Sequence, residues 1–90
     1  QTIATNSLKV YPNPGDQYTT LGFNFLTHKT DQKIRITDLN GREIMKWGID
    51  EQTIEGQVLW DCRTVVNGIY FAQLWQNDEL IVTKKIVVQH

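Results

Sequence analysis

Alternation of apolar and polar positions runs through most of this chain. From Tyr18 to Leu26, Leu21, Phe23 and Phe25 fall on one side, and Thr20, Gly22 and Asn24 on the other. A period of two sends successive side chains to opposite faces of an extended backbone, so this segment is predicted as a strand with one buried face. After a polar loop at Thr27–Asp31, Lys33–Thr37 repeats the pattern, with Ile34 and Ile36 inward and Lys33, Arg35 and Thr37 outward. Asp38-Leu39-Asn40-Gly41 follows. Asn-Gly predicts a type I′ hairpin, whose two central residues need positive φ, and Arg42–Trp47 then returns antiparallel. Gly48–Glu55 is polar without a period and reads as a connection.

Gln57–Cys62 places Val58, Trp60 and Cys62 on one face of a further strand. Asn67-Gly68 opens Ile69–Trp75, which is apolar on both faces, as expected of a central strand. Trp75 shares a face there with Ile69 and Phe71 and reads as core, as does Trp60. Asn77-Asp78 turns the chain into Glu79–Gln89, where Lys84-Lys85 separates two apolar halves and guards an edge against further pairing. At the front, Leu8–Val10 alternates briefly before Tyr11-Pro12-Asn13-Pro14-Gly15. Proline lacks the ladder donor and fixes φ, so this is an edge strand followed by a rigid turn. Residues 1–7 show no period and read as a linker, which leaves 8–90 as the folded domain. The expected fold is all-β, an antiparallel β-sandwich of about seven short strands, with a small barrel as the alternative.

Composition narrows the function classes. Ninety residues make one small domain and exclude a two-lobed enzyme. The formal charge of −1 provides no general field for a polyanion, so no nucleic-acid partner is expected. No apolar run approaches the roughly 18 residues that span a bilayer, so no membrane-spanning segment is expected. Cys62 is the single cysteine and cannot close an intramolecular disulfide. The core must hold the fold, and three each of Phe, Trp and Tyr supply large side chains for it.

Chemistry is sparse. A cysteine nucleophile needs a histidine base and an orienting group, and nothing in the spacing brings His28 or His90 to Cys62. Cys62 reads instead as a small buried hydrophobe, and both histidines as solvated. Two histidines and one cysteine lack zinc spacing, and no metal or cofactor is expected. Asp38-Leu39-Asn40-Gly41 has the opening of a calcium loop without its closing acid, and the hairpin uses the same residues. No catalytic signature survives, so the domain is expected not to be an enzyme. Trp47, Trp60 and Trp75 offer sugar-stacking surfaces, although only the exposure of Trp47 is open on the pattern.

Four motifs in order, Leu8-Lys-Val-Tyr-Pro-Asn-Pro14, Ile36-Thr-Asp-Leu-Asn-Gly-Arg42, Asn67-Gly-Ile-Tyr-Phe71 and Lys84-Lys-Ile-Val-Val88, run from Leu8 to Val88, nearly the whole chain. Together they resemble the type A C-terminal sorting domain of the type IX secretion system of Bacteroidota-type bacteria, the Por secretion tail family. The resemblance implies a seven-stranded immunoglobulin-like sandwich at the end of an exported cargo protein. It implies a route through the periplasm and outer membrane to the cell surface or medium. The implied partners are the type IX translocon, a sortase-like cell-surface protease and the covalently linked upstream cargo. Cleavage would fall in the 1–7 linker, and recognition would fall on the last strand, here Lys84, Lys85, Ile86, Val87 and Val88.

Physical reasoning assigns the other shared motifs mainly structural work. Pro12, Asn13 and Pro14 set the first turn, Asp38, Asn40 and Gly41 make a hairpin, and Gly68, Ile69, Tyr70 and Phe71 open a central strand. Lys84 and Lys85, on an edge flanked by β-branched residues, suit contact by strand addition. The rival reading is a carbohydrate-binding accessory module built on the tryptophans. A third is a passive immunoglobulin-type spacer, against which the chain's stopping two residues after Val88 speaks.

Overall fold

Seven strands form in chain order: β1 (Ser7–Tyr11), β2 (Tyr18–Asn24), β3 (Gln32–Thr37), β4 (Glu43–Ile49), β5 (Glu55–Asp61), β6 (Gly68–Gln76) and β7 (Glu79–Val88). The coordinates are a computed structural model that describes residues 6–12 and 15–90. One sheet has the order β1-β2-β5 and the other β4-β3-β6-β7, with every strand pair antiparallel. Two sheets face to face make this a sandwich of immunoglobulin-like form, and the barrel alternative is not realised. Residues 1–5 of the expected linker, together with Asn13 and Pro14, lie outside the described residues. Ser7 already belongs to β1, and Asn6 Oδ1 accepts from the Leu26 amide at 2.7 Å.

The core follows the period-two pattern. Leu21 and Phe23 from β2, Ile34 and Ile36 from β3, and Trp60 from β5 are buried against Ala72 and Leu74 of β6. Each fully buried Leu or Ile side chain contributes about 1.5–3 kcal/mol relative to exposure. The Trp60 and Tyr70 rings meet edge to face across the sheets, with centroids 5.5 Å apart. Tyr70 donates its hydroxyl to the Val66 carbonyl at 2.7 Å, the tyrosine corner of such sandwiches, and burial pushes its phenol pKa up.

Three expectations need correction. The β3–β4 hairpin forms, but Asn40 does not adopt positive φ and the turn is not type I′. Gly41 alone is left-handed, at φ +83°, and its amide donates to the Asp38 carbonyl at 3.1 Å. Asp38 Oδ1 accepts from the Asn40 and Arg42 amides, each at 2.9 Å, which stabilises a longer loop over the two-residue one. The two-residue turn with both φ positive is Asn77-Asp78, at +49° and +64°. Thr37 keeps the outward phase, opposite Phe71 of β6, yet it is buried and not exposed. On β6 the inward set is Tyr70, Ala72, Leu74 and Gln76, which leaves Ile69, Phe71 and Trp75 on the outer face.

A polar junction closes one end of the sandwich. Gln32 and Gln76 are nearly fully buried, and Gln76 Nε2 donates to Gln32 Oε1 and to the Thr27 carbonyl, both at 2.8 Å. Gln32 Nε2 donates to the carbonyls of Asp50 and Thr53, each at 2.9 Å. Two glutamines thereby fasten the β2–β3 and β4–β5 connections to neighbouring strands, and each buried donor finds a partner.

Gly15 is the tightest point of the fold. A Cβ at this position would collide with the Oγ1 of Thr19, a buried, β-branched residue whose χ1 has little freedom. Gly15→Ala is expected to lower unfolding free energy by about 1–3 kcal/mol through overpacking, measured as a lower urea midpoint with unchanged m. An unchanged midpoint would show that this site has room.

Candidate functional site

β7 carries the residues the sequence singles out for recognition, and its pairing with β6 decides what each presents. Ile86 opposes Tyr70 and Val88 opposes Gly68, and these two side chains are 0% and 1% exposed in the core. Lys85 opposes Phe71 and Val87 opposes Ile69, which turns both outward. Lys84 opposes Ala72 on the inward side, yet it is exposed because β7 lies at the sheet edge. The lysine pair therefore addresses two different sides of the strand, as adjacent strand residues must. A register shift opposite Leu74 and Trp75, where Val82 and Leu80 are the partners, leaves Ile81 as the extra residue of a bulge.

The far end of β7 is clasped. The Gly15 amide donates to the Val87 carbonyl and the Gln89 amide to the Gly15 carbonyl, both at 2.8 Å, in a short parallel bridge. His90 extends the clasp. Its amide donates to Asn67 Oδ1 at 3.0 Å, its Nε2 lies 2.9 Å from the Val65 carbonyl, and its Nδ1 lies 3.4 Å from Asp16 Oδ1. His90 is thus anchored by these contacts while it remains exposed, as its reading as a solvated residue expects. Both ring nitrogens face acceptors, and only the protonated ring donates to both. The Val65 carbonyl first, then Asp16, raise its pKa above the ordinary value.

The remaining motif residues occupy defined places. Pro12 follows β1 through a cis peptide bond after Tyr11, and Asn13 and Pro14 are not described. Asp38 and Asn40 share a hollow of about 170 Å3 with Gly68, Ile69 and Tyr70, so the fold brings the second and third motifs together. The Arg42 amide, aided by the Asn40 amide and the Arg42 guanidinium, holds the Asp38 carboxyl below its usual range. Lys84 and Lys85 belong to β7, whose described pairing is with β6 and Gly15.

The three tryptophans do not form one platform. Trp60 is core, Trp47 packs partly buried against the core from β4, and Trp75 stands on the outer face of the four-stranded sheet. Its ring lies 5.8 Å from Lys33 Nζ and 5.6 Å from Arg35 Cζ. Cys62 is 0% exposed, and its sulfur meets Thr19 Oγ1 at 3.9 Å. Sequence reasoning missed Gly15, the two glutamines and the docking of His90. A glycine directly after Pro-Asn-Pro was the available signal for the first.

Solved structures place the architecture in its class. The chain superposes on an immunoglobulin-like protein from Pseudomonas aeruginosa with TM-score 0.55 at 12% identity, covering 97% of this chain and 94% of that one. It also superposes on dimeric latent PorU from Porphyromonas gingivalis with TM-score 0.73 at 19% identity, covering 96% of this chain but only 10% of that protein. At such identities the likeness concerns the fold alone. Among curated proteins no relative matches. The family model described as "Secretion system C-terminal sorting domain" matches residues 9–89. The chain belongs to that family, and its role is that of a type IX C-terminal secretion signal.

Two measurements check the site's physical description. Because His90 has a raised pKa in the folded chain, its stabilisation is fully present below the unfolded value of 6.5 and is lost as pH rises through the folded value. The urea midpoint of the unsubstituted chain should therefore fall relative to that of His90→Gln as pH rises from below 6.5 through the raised folded value, and parallel profiles would refute the clasp. Cys62 should react with a thiol reagent only through opening of the fold, so that denaturant accelerates labelling in step with the unfolded fraction. Rapid stoichiometric labelling in buffer would contradict its burial.

Proposed function

We propose that this domain is the non-catalytic address of a larger exported protein, read by the type IX translocon at the outer membrane and then by a sortase-like cell-surface protease. The cargo is covalently linked upstream, and cleavage falls within residues 1–7, whose last residue opens β1. The cargo reaches the cell surface or the medium by way of the periplasm. The observation that carries this reading is the family match, which runs from residue 9 to residue 89 and so takes in all but the start of β1 and the whole of β7.

Recognition centres on Lys84 to Val88. In the folded domain Lys84, Lys85 and Val87 make the contacts, while Ile86 and Val88 hold the strand in place from inside the core. The burial of Ile86 and Val88 supports this division. Removing Lys84–His90 would delete core residues along with any contact, so substitution of the exposed pair separates recognition from folding.

A reporter with a secretory leader, fused upstream of this domain in a type IX host, is expected at the cell surface or in the medium, and the same reporter without the domain in the periplasm. Lys84→Ser with Lys85→Ser should shift the reporter towards the periplasm while the domain stays folded. Mass spectrometry of delivered reporter should find a new carboxyl terminus within residues 1–7. Periplasmic retention of the complete fusion would overturn the sorting reading, and delivery with the domain still attached would overturn the cleavage step.

A further inference from the structure

The outer face of the four-stranded sheet departs from what an uncovered face requires. Central strand β6 turns Tyr70, Ala72 and Leu74 inward, and period two assigns the alternate positions to the outside. Among the described residues no further layer covers that side. Polar residues are expected there, and Gln73 is one, yet Ile69, Phe71 and Trp75 occupy the other outward positions, each half-buried. Val87, on the neighbouring strand, opposes Ile69 and widens the apolar strip.

Cations border this strip on both sides. Lys33 opposes Trp75 from β3, Arg35 opposes Gln73, and Lys46 opposes Arg35 from β4. Lys85 opposes Phe71 from β7. The acids close by are Glu43, 2.9 Å from Arg35 Nε, and Asp78, 3.8 Å from Lys33 Nζ. The face is therefore net positive on a chain whose formal charge is −1. A guanidinium or ammonium group over an indole face is attracted by the ring quadrupole.

An apolar centre rich in aromatic residues within a charged rim is the anatomy of a protein-binding surface, and Trp and Arg are over-represented among residues that dominate binding. The sign of the rim fixes the partner's character. We propose that this face docks an acidic protein surface of the secretion machinery, carboxylates meeting Lys33, Lys46 and Lys85 around an apolar group seated on Phe71 and Trp75. This rests on the sorting reading above and deepens it. The contact is made by the sheet face, and Lys85 and Val87 reach it as its border along β7.

Photo-cross-linking in the living host tests it with the complete cargo fusion. p-Benzoylphenylalanine replaces either Phe71 or, as a control, Leu59, which is 58% exposed on the other sheet. The expected result is one discrete protein adduct from position 71 and none from position 59. Lys46→Glu should reduce that adduct about tenfold, the effect of losing a modest interface contact, whereas Lys9→Glu makes the same charge change on the three-stranded sheet and should leave it intact. Thermal unfolding of each variant chain verifies the fold. Equal adducts from both positions, an adduct to lipid or glycan in place of protein, or indifference to Lys46→Glu would overturn the docking face while the sorting reading stands if the unsubstituted fusion is delivered. An unsubstituted fusion that stays in the periplasm overturns both.

Discussion

The end of β7 is held between β6 on one side and the backbone of Gly15 on the other, and the closure of the sandwich depends on that grip. Ile86 and Val88 enter the core from this strand, while Gly15 exchanges two main-chain hydrogen bonds with Val87 and Gln89. The first turn of the domain thereby meets its last strand. Only a residue without a side chain allows the approach, since Thr19 fills the space a Cβ would need. Gly15 and the strand with the two lysines are thus parts of one structural unit, although more than sixty residues separate them in the chain.

This arrangement constrains how the domain can act. A strand whose alternate side chains are core cannot be withdrawn for recognition without exposing that core, and burial of such side chains is a main source of stability in a chain of this size. What remains accessible on β7 is its exposed edge lysine, Lys84, and its outward residues. The outward residues continue onto the apolar strip of β6. Period two therefore divides the end of the strand: Ile86 and Val88 close the sandwich, and Lys85 and Val87 belong to a surface shared with β3, β4 and β6. His90 adds a pH-dependent contribution to the same clasp because its ring sits between a carbonyl and a carboxylate.

Where a segment has one apolar face, its orientation was legible before any coordinates. Leu21 and Phe23 in the second strand with Phe25 just past its end, Ile34 and Ile36 in the third, and Trp60 with Cys62 all lie where alternation puts them. β6 was recognisable as a strand and as a central one, but its orientation was not. Both of its faces are apolar, so the pattern gives no reason to choose, and Trp75 came out on the side opposite to expectation. The buried pairing of Gln32 with Gln76 was equally hidden, because neither glutamine signals burial until the other stands beside it. At the hairpin, Asn40-Gly41 announced the reversal, and the Asp38 side chain selected the turn by accepting two backbone amides.

The amino-acid order by itself determined the strands, where the chain reverses and the membership of a secretion-signal family, because period two, turn chemistry and motif order are properties of neighbouring residues. The tertiary structure alone decided which face of β6 looks outward, that Lys84 and Lys85 address different sides, and that Gly15, Asp16, Val65 and Asn67 converge on the last residues. Those facts depend on pairing register and on contacts between distant segments, and a one-dimensional pattern carries neither.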